Sequence, residues 1–430
     1  MLIRFEVANF RSILDSVELS MVAVDRERPE ARPVPNLGES LLPVVAIYGP
    51  NASGKSNIIA ALTWIQNAIW GSLRFWDDEI PVEPFAFADG HSRPSDFTVE
   101  AVIGGVRFEY VVELDSMAVH YEGLFHYPEK KRRRIFERDG NELTLQRGLG
   151  HLSGTRELLT NRTLALSIAR RFDEPLVSHF ANEVLAVQTL GQRLRRRLPS
   201  PPTRGTSTRW WFEEPAGIEQ SVLPGFEDPN DSFRADRTQA LALLRLADLG
   251  IDDVLIDEHE VVRPGGEMES GRMRRQRRVR LVHRTAQEKV PFDFALESEG
   301  TQTWFHLIGP VLAALRSGSV LLFDELDGSL HPALAMQLIR LFHEPTTNPA
   351  GAQLIFSSHD TSLLNHLNRD EVWLTEKAEN GATRLGALAD FAGERVRKSQ
   401  NLEKAYLHGR FGALPDVDRA DMLRALGLVG

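Results

Sequence analysis

The sequence predicts an α/β fold: a mostly parallel sheet with an antiparallel β subdomain and a helical region inserted into it. Three observations carry that prediction. The short apolar run "LPVVAIYG", residues 42–49, ends in a glycine-rich turn and leads into residues with helical periodicity. From Phe97 to Arg147 strand-like runs recur one after another. After Leu296 the pattern becomes helix, strand, helix, strand, helix, strand. The two ends of the chain are therefore expected to build one α/β domain, with other material between them.

The totals agree with this. A chain of 430 residues suggests two or three units. Hydrophobic residues make up 42% and charged residues 26%, which is ordinary for a folded globular chain. No apolar run approaches the roughly 20 residues a membrane helix needs. Arg4 and Glu6 interrupt the first apolar stretch, so it does not read as a signal peptide. With no cysteine, disulfides and thiolate zinc sites are excluded, and the thirteen histidines show no paired-ligand spacing. A cytoplasmic protein without membrane contact is expected. The net charge of −10 argues against general coating of nucleic acid.

In order along the chain, "LIRFEVANF" and "VELSMVAV" read as a pair of edge strands. Residues 56–70 read as a helix. The run 97–147 reads as an antiparallel meander with a hairpin at Asp139-Gly140-Asn141. Residues 155 to about 198 look helical and end in a basic cluster. A Pro- and Gly-rich loop is expected at about 199–231, then an amphipathic helix ending at Gly250. Two strands follow, around "RPGGEMESGRMRRQRR". The expected division is 1–96, 97–150 (the meander), 151–250 (the helical insertion), 251–376 and 377–430, the last a helical partner-binding tail.

The chemistry concentrates in four stretches. "GPNASGKS" fits G-x-x-x-x-G-K-[ST] between a buried strand and a helix. Gly49, Pro50, Asn51, Ala52, Ser53, Gly54, Lys55, Ser56 and Asn57 are thus the expected phosphate cradle. Lys55 can reach the β- and γ-phosphates, and the Ser56 hydroxyl can ligate Mg²⁺. "SVLLFDEL" ends a buried strand in two carboxylates, which is costly without a partner. Mg²⁺ supplies one for Asp324, and Glu325 is the better residue to polarise an attacking water. "AQLIFSSHD" is another apolar strand, ending at His359, 35 positions after Asp324. His359 can donate to a γ-phosphate or to that water. "LESEGTQTWFHLIGPVLAAL" is an apolar helix capped by Ser298.

Taken in order, the P-loop, "SEGTQ", "LLFDE", "LDGSLHP" and "SSHD" resemble the ATP-binding-cassette ATPases of the RecF, SMC and OLD type. "GPNASGKSN" and the N-terminal "ANFRS" fit that branch better than they fit transporters. The resemblance covers roughly residues 1–75 and 290–376. It implies an ABC-type P-loop NTPase head that uses ATP and Mg²⁺ and works as a homodimer or a higher even-numbered oligomer. It implies that Ser298, Glu299 and Gly300 form a signature sequence meeting the nucleotide of the opposite subunit, and that Asp327 crosses the same interface. Asn9 and Arg11 would line the nucleotide site. The usual second glycine of the signature is Glu299 here. No glutamine stands out for the loop that couples the lobes, and "VEPFAF" is the stretch expected at their junction.

"NLEKAYLHGRFGALPDV", Asn401 to Val417, and "LADLGIDDVLIDE" are similar to the stand-alone ATPases of bacterial abortive-infection and phage-defence systems (AbiL-like, RloA-like and the PARIS ATPase). That narrower resemblance implies a sensor or scaffold controlling a separately encoded effector, such as a Toprim-type nuclease. The 71 residues after His359 show no cluster of acidic metal ligands, so no intrinsic nuclease is expected. The runs Lys130–Arg134, Arg193–Arg197 and Arg272–Arg280 read as a nucleic-acid surface, as solvated turns or as docking sites for an acidic partner. Trp210-Trp211-Phe212 reads as a packed anchor or a partner hot spot. A RecF-like DNA-binding repair ATPase and a non-hydrolysing, ATP-locked assembly scaffold are the alternative functions.

Overall fold

A computed structural model describes residues 1–191, 205–213, 229–248, 250–261, 274–390 and 402–408. The chain begins with β1 (Leu2–Ala8), β2 (Val17–Ser20), the ribbon β3 (Arg32–Val34) and β4 (Glu39–Leu41), β5 (Val44–Tyr48) and helix α1 (Lys55–Phe75). Next come β6 (Ser95–Ile103), β7 (Val106–Leu114), β8 (Val119–Tyr127), β9 (Arg133–Asp139) and β10 (Glu142–Leu145). Short helices α2 (Thr155–Leu158), α3 (Ala165–Ala169) and α4 (Pro175–Leu185) lead to β11 (Gln188–Leu190). Helix α5 (Pro229–Ala247) precedes β12 (Ile251–Val261), β13 (Arg274–Arg284) and β14 (Lys289–Asp293). The remainder is α6 (Glu299–Ser317), β15 (Val320–Phe323), α7 (Leu326–Ser329), α8 (Pro332–His343), β16 (Gln353–Ser357), β17 (Val372–Lys377), β18 (Thr383–Ala387) and α9 (Leu402–Leu407).

The central sheet has the order β11-β15-β16-β5-β17-β18 and is parallel except for β18. Strands covered on both faces must be apolar throughout, and β5, β15 and β16 are buried at every position. Alternate residues serve two cores. Val45, Ile47, Val320, Leu322 and Ile355 pack with α1 and the antiparallel sheet. Val44, Ala46, Leu321, Phe323, Leu354 and Phe356 pack with α6 and α8. The mixed α/β class expected from the sequence is the one observed.

The antiparallel sheet runs β10-β9-β8-β7-β6-β1-β2, with the expected hairpin at Asp139–Glu142. Several elements differ from expectation. β1 is not an edge strand: it lies between β2 and β6. Residues 188–190, expected to be helical, form β11 at the edge of the parallel sheet, where they pair with β15. Residues 289–293 add β14 to the sheet of β12 and β13. The stretch between β16 and β17 holds two 3-10 turns, Thr361–His366 and Arg369–Glu371, instead of an α-helix. Residues 383–387, expected in a helical tail, are β18 against β17.

Two residues of the aromatic triplet are a packed anchor: Trp211 and Phe212 are buried, and Trp211 Nε1 donates to the Gly205 carbonyl at 2.7 Å, whereas Trp210 is 45% exposed. The basic runs are largely neutralised where they are described. Arg132 pairs with Glu109, Arg133 with Glu129 and Arg134 with Glu137. Arg277, Arg278 and Arg280 pair with Glu213, Asp293 and Asp257. The cluster Arg193–Arg197 lies outside the described residues.

Candidate nucleotide site

The loop Gly49–Gly54 bends back between β5 and α1 through residues that take left-handed or otherwise positive φ. Gly49 stands at 153°, Ala52 at 62° and Gly54 at 106°. The two glycines are required twice over. A Cβ on Gly49 would lie 2.3 Å from the Thr375 hydroxyl, and one on Gly54 would lie 2.0 Å from the Thr383 hydroxyl. β17 and β18 thus press against the back of the loop. Thr375 Oγ1 lies 2.6 Å from Ser53 Oγ, within hydrogen-bond distance, and Thr383 Oγ1 donates to the Ser53 carbonyl at 2.9 Å. Asn57 Nδ2 donates to Ser12 Oγ at 2.6 Å, and Ser12 Oγ lies 2.7 Å from Thr383 Oγ1.

The amino end of α1 has no side-chain cap and no acid in its first turn. Its amides therefore remain directed at whatever lies in front of the loop, the arrangement that suits phosphate. Lys55 is buried, and its ammonium donates to the Gly49 and Pro50 carbonyls at 2.9 and 3.0 Å. Burial lowers the Lys55 pKa from its ordinary 10.5, while Asp324, Asp327 and Glu325 act to raise it.

The opposite wall comes from the ends of β15 and β16. Ser56 Oγ donates to Asp324 Oδ1 at 2.9 Å, so the two expected metal ligands meet through one carboxylate oxygen. Glu325 follows at φ 57°, a left-handed conformation unusual for a side-chain-bearing residue, and it is exposed. Asp327 Oδ1 accepts the His359 backbone N–H at 2.9 Å, which ties the turn after β15 to the loop after β16. The His359 side chain is exposed. Glu325, His359 and Asp324 thus stand where adjacent parallel strands end, as the sequence order required.

Two expected residues are placed differently. Asn9 is fully buried and faces inward: Nδ2 donates to the Gly90 and Arg93 carbonyls, and Oδ1 accepts from Phe85 N–H. Its amide is committed to the loop 85–94. Arg11 pairs with Glu83 at 3.2 Å within the "VEPFAF" stretch, and its backbone N–H donates to the Glu83 carbonyl. Its neighbour Ser12 is the residue that reaches the P-loop helix. Thr375, Thr383 and Ser357 were not singled out from sequence. "SSHD" lies beside a strand end, but only the strand register shows which serine turns toward Asp324.

Ser298 Oγ caps α6 by accepting the Thr301 N–H at 3.1 Å. Ser298, Glu299 and Gly300 are all exposed, and a Cβ on Gly300 would meet only open space and Ser298 Oγ at 3.9 Å. Leu296 beside them is 77% exposed and Phe292 44%. In this single copy the expected signature faces solvent.

The donor set fits a magnesium–nucleotide complex. Lys55 and the first-turn amides suit phosphate oxygens, and one hydroxyl with one carboxylate suits a cation that keeps water and phosphate ligands. Among the described residues no group of three or more His, Cys, Asp or Glu could hold a metal ion. Lys55, Ser56 and Asp324 would hold Mg-ATP.

A buried parallel strand, a glycine-rich turn, an uncapped helix start and a neighbouring strand ending in Asp-Glu together define a P-loop nucleoside-triphosphatase domain. The particular family follows from the sequence match. Residues 44–365 match the family described as "AAA domain, putative AbiEii toxin, Type IV TA system", and the chain belongs to it. Among solved structures, the SMC head bound to the C-winged helix domain of ScpA is similar, at 12% identity and a TM-score of 0.43. That match covers 91% of this chain and 99% of the other. The SMC head domain from Thermotoga maritima is similar at 12% identity and a TM-score of 0.39, covering 90% of this chain and 98% of that one. No curated protein matches the sequence. Among the described residues, no helix is long and apolar enough to cross a membrane.

Proposed function

We propose that the protein binds and hydrolyses ATP, and that its nucleotide state controls a separately encoded effector in anti-phage defence. The observation that carries the hydrolytic part is the convergence of Ser56 on Asp324 with Glu325 immediately beyond, facing solvent in front of the P-loop. When bound, Mg-ATP supplies an electrophilic γ-phosphoryl group whose charge the cation neutralises. The α1 amides and Lys55 orient the phosphates. Ser56 and Asp324 fix the cation. Glu325 accepts a proton from the water it positions. His359 stands on a loop pinned to Asp327, beside the same strand ends. Ordered positioning of this kind, with charges already in place, is what phosphoryl transfer requires of a protein.

The exposed cap Ser298-Glu299-Gly300, with Leu296 and Phe292 beside it, supports a head-to-tail pair of subunits in which each α6 amino end covers the other's nucleotide. The defence role rests on the family's own description, which names a "putative AbiEii toxin" of a toxin–antitoxin system, and on the resemblance of the sequence from Asn401 to Val417 to abortive-infection ATPases. The test has two parts. Purified protein should turn over ATP in Mg²⁺ and form dimers with ATP when Glu325 is replaced by Gln. The product of the neighbouring gene should co-purify with it in a nucleotide-dependent way. Absent turnover removes the enzymatic reading and leaves the ATP-locked scaffold. Salt-sensitive duplex binding with DNA-stimulated turnover would favour the repair ATPase.

A further inference from the structure

We infer that Ser357 is a positioning residue for hydrolysis, holding the metal carboxylate of Asp324 and the backbone of Glu325 in one fixed relation. The inference rests on the ATPase reading above. Ser357 ends β16 and is fully buried. Its hydroxyl lies 2.7 Å from Asp324 Oδ1 and 2.8 Å from the Glu325 N–H. A serine hydroxyl has one proton to give. The Glu325 amide can only donate, so Ser357 accepts there and gives its own proton to the carboxylate. The direction of both bonds is fixed.

Two consequences follow for the site. Asp324 Oδ1 receives protons from Ser56 and from Ser357, so the carboxylate is held from two sides before any cation arrives. Glu325 sits in a left-handed conformation that persists only where its surroundings over-determine it. The Ser357 bond to its N–H supplies one such constraint, and the Gly328 N–H donating to the Glu325 carbonyl at 3.1 Å supplies another. A single hydroxyl, that of Ser357, therefore bonds both the side chain of the metal ligand and the backbone of the general base. The adjacent Ser358 has a different task, accepting the Asp360 N–H at 3.0 Å.

The experiment compares full-length Ser357→Ala and Ser357→Thr with the wild type. ATP turnover is measured across a Mg²⁺ titration, ATP affinity in EDTA and in Mg²⁺, and melting temperature as a folding control. In Ser357→Ala, kcat should fall about tenfold or more and the half-saturating Mg²⁺ concentration should rise. ATP affinity in EDTA should stay within about twofold of wild type, because the P-loop is untouched. Ser357→Thr keeps the hydroxyl and should recover most of the lost kcat and the original Mg²⁺ dependence. A purely structural role would lower the melting temperature without moving the Mg²⁺ midpoint. An unmoved midpoint in Ser357→Ala, with or without lost turnover, overturns the inference. If the wild type itself fails to turn over ATP, the ATPase reading falls separately. The Mg²⁺ dependence of ATP affinity in Ser357→Ala then still tests the hold on Asp324.

Discussion

The hydroxyl of Thr208 stands inside helix α6, accepting the Gly309 N–H at 2.9 Å and donating to the Phe305 carbonyl. An uninterrupted helix would join those two groups directly. Pro310 follows and has no N–H to give, so the ladder is already weakened at this turn. Gly309 permits the approach, since a Cβ there would lie 2.5 Å from the Thr208 nitrogen. Thr208→Val removes both of these buried hydroxyl bonds and should cost about 1–3 kcal/mol. Thr208→Ser should stay within about 0.5 kcal/mol of wild type. Urea unfolding midpoints decide this, and equal midpoints for Val and Thr would remove the hydroxyl from the account.

Glu325 should separate binding from chemistry. Its carboxylate is exposed beyond the bond network that fixes Asp324, so Glu325→Gln keeps the cradle intact. ATP affinity should hold within about threefold while turnover drops about a hundredfold or more, the usual scale of general-base loss. Single-turnover measurements read the chemical step directly. Hydrolysis at the wild-type rate would transfer the role to another residue, with His359 the first to examine.

The α6 cap should govern assembly without governing nucleotide binding by one copy. Ser298→Arg places a bulky cation where the exposed serine and Gly300 leave room. ATP affinity of the monomer should be unchanged, and ATP-dependent dimers of the Glu325→Gln background should disappear in sedimentation velocity. Loss of the cap itself costs about 1 kcal/mol, which a melting curve will register separately. Undisturbed dimers would leave Ser298 as a helix cap alone.

The parts of the site legible in the sequence are those whose chemistry fixes residue type and spacing within one short stretch. Gly49 to Ser56 must turn a strand into an anion-binding helix end, and Asp324-Glu325 must end a buried strand. What escaped depends on partners distant in sequence. Gln188–Leu190 is a strand only because β15 offers an edge, and "QTL" has no apolar signature of its own. "KVPFD" carries Pro291, which speaks against a strand, yet β14 pairs on one side only and tolerates it. Ser357 and Ser358 are indistinguishable in the sequence. The register that pairs Phe323 with Phe356 turns the first toward Asp324. Asn9 shows the converse: its place in "ANFRS" suggested the nucleotide, but its amide is consumed by the loop 85–94.

Helix α9 should depend on Tyr406 for its existence. Six residues cannot sustain a helix in water, since nucleation costs more than so few hydrogen bonds return. Its stability must come from docking, and Leu402, Ala405 and Tyr406 are buried against the core shared with α6 and α8. The Tyr406 ring meets Tyr48 edge-on at 6.1 Å, and Glu403 accepts from Asn365 Nδ2 at 2.8 Å. Tyr48 in turn donates its hydroxyl to the Asp360 carbonyl at 3.0 Å, and burial, with Asp360 close by, keeps that phenol protonated well past its ordinary range. The helix thus rests on the residues that directly follow His359. Tyr406→Ala removes the ring and leaves a gap that six residues cannot close, a loss of about 3 kcal/mol from a contact with little else to hold it. Amide exchange over residues 402–408 should then rise to that of an unfolded segment, while β5 and β16 stay protected. Retained protection in the variant would show that Leu402 and Ala405 suffice.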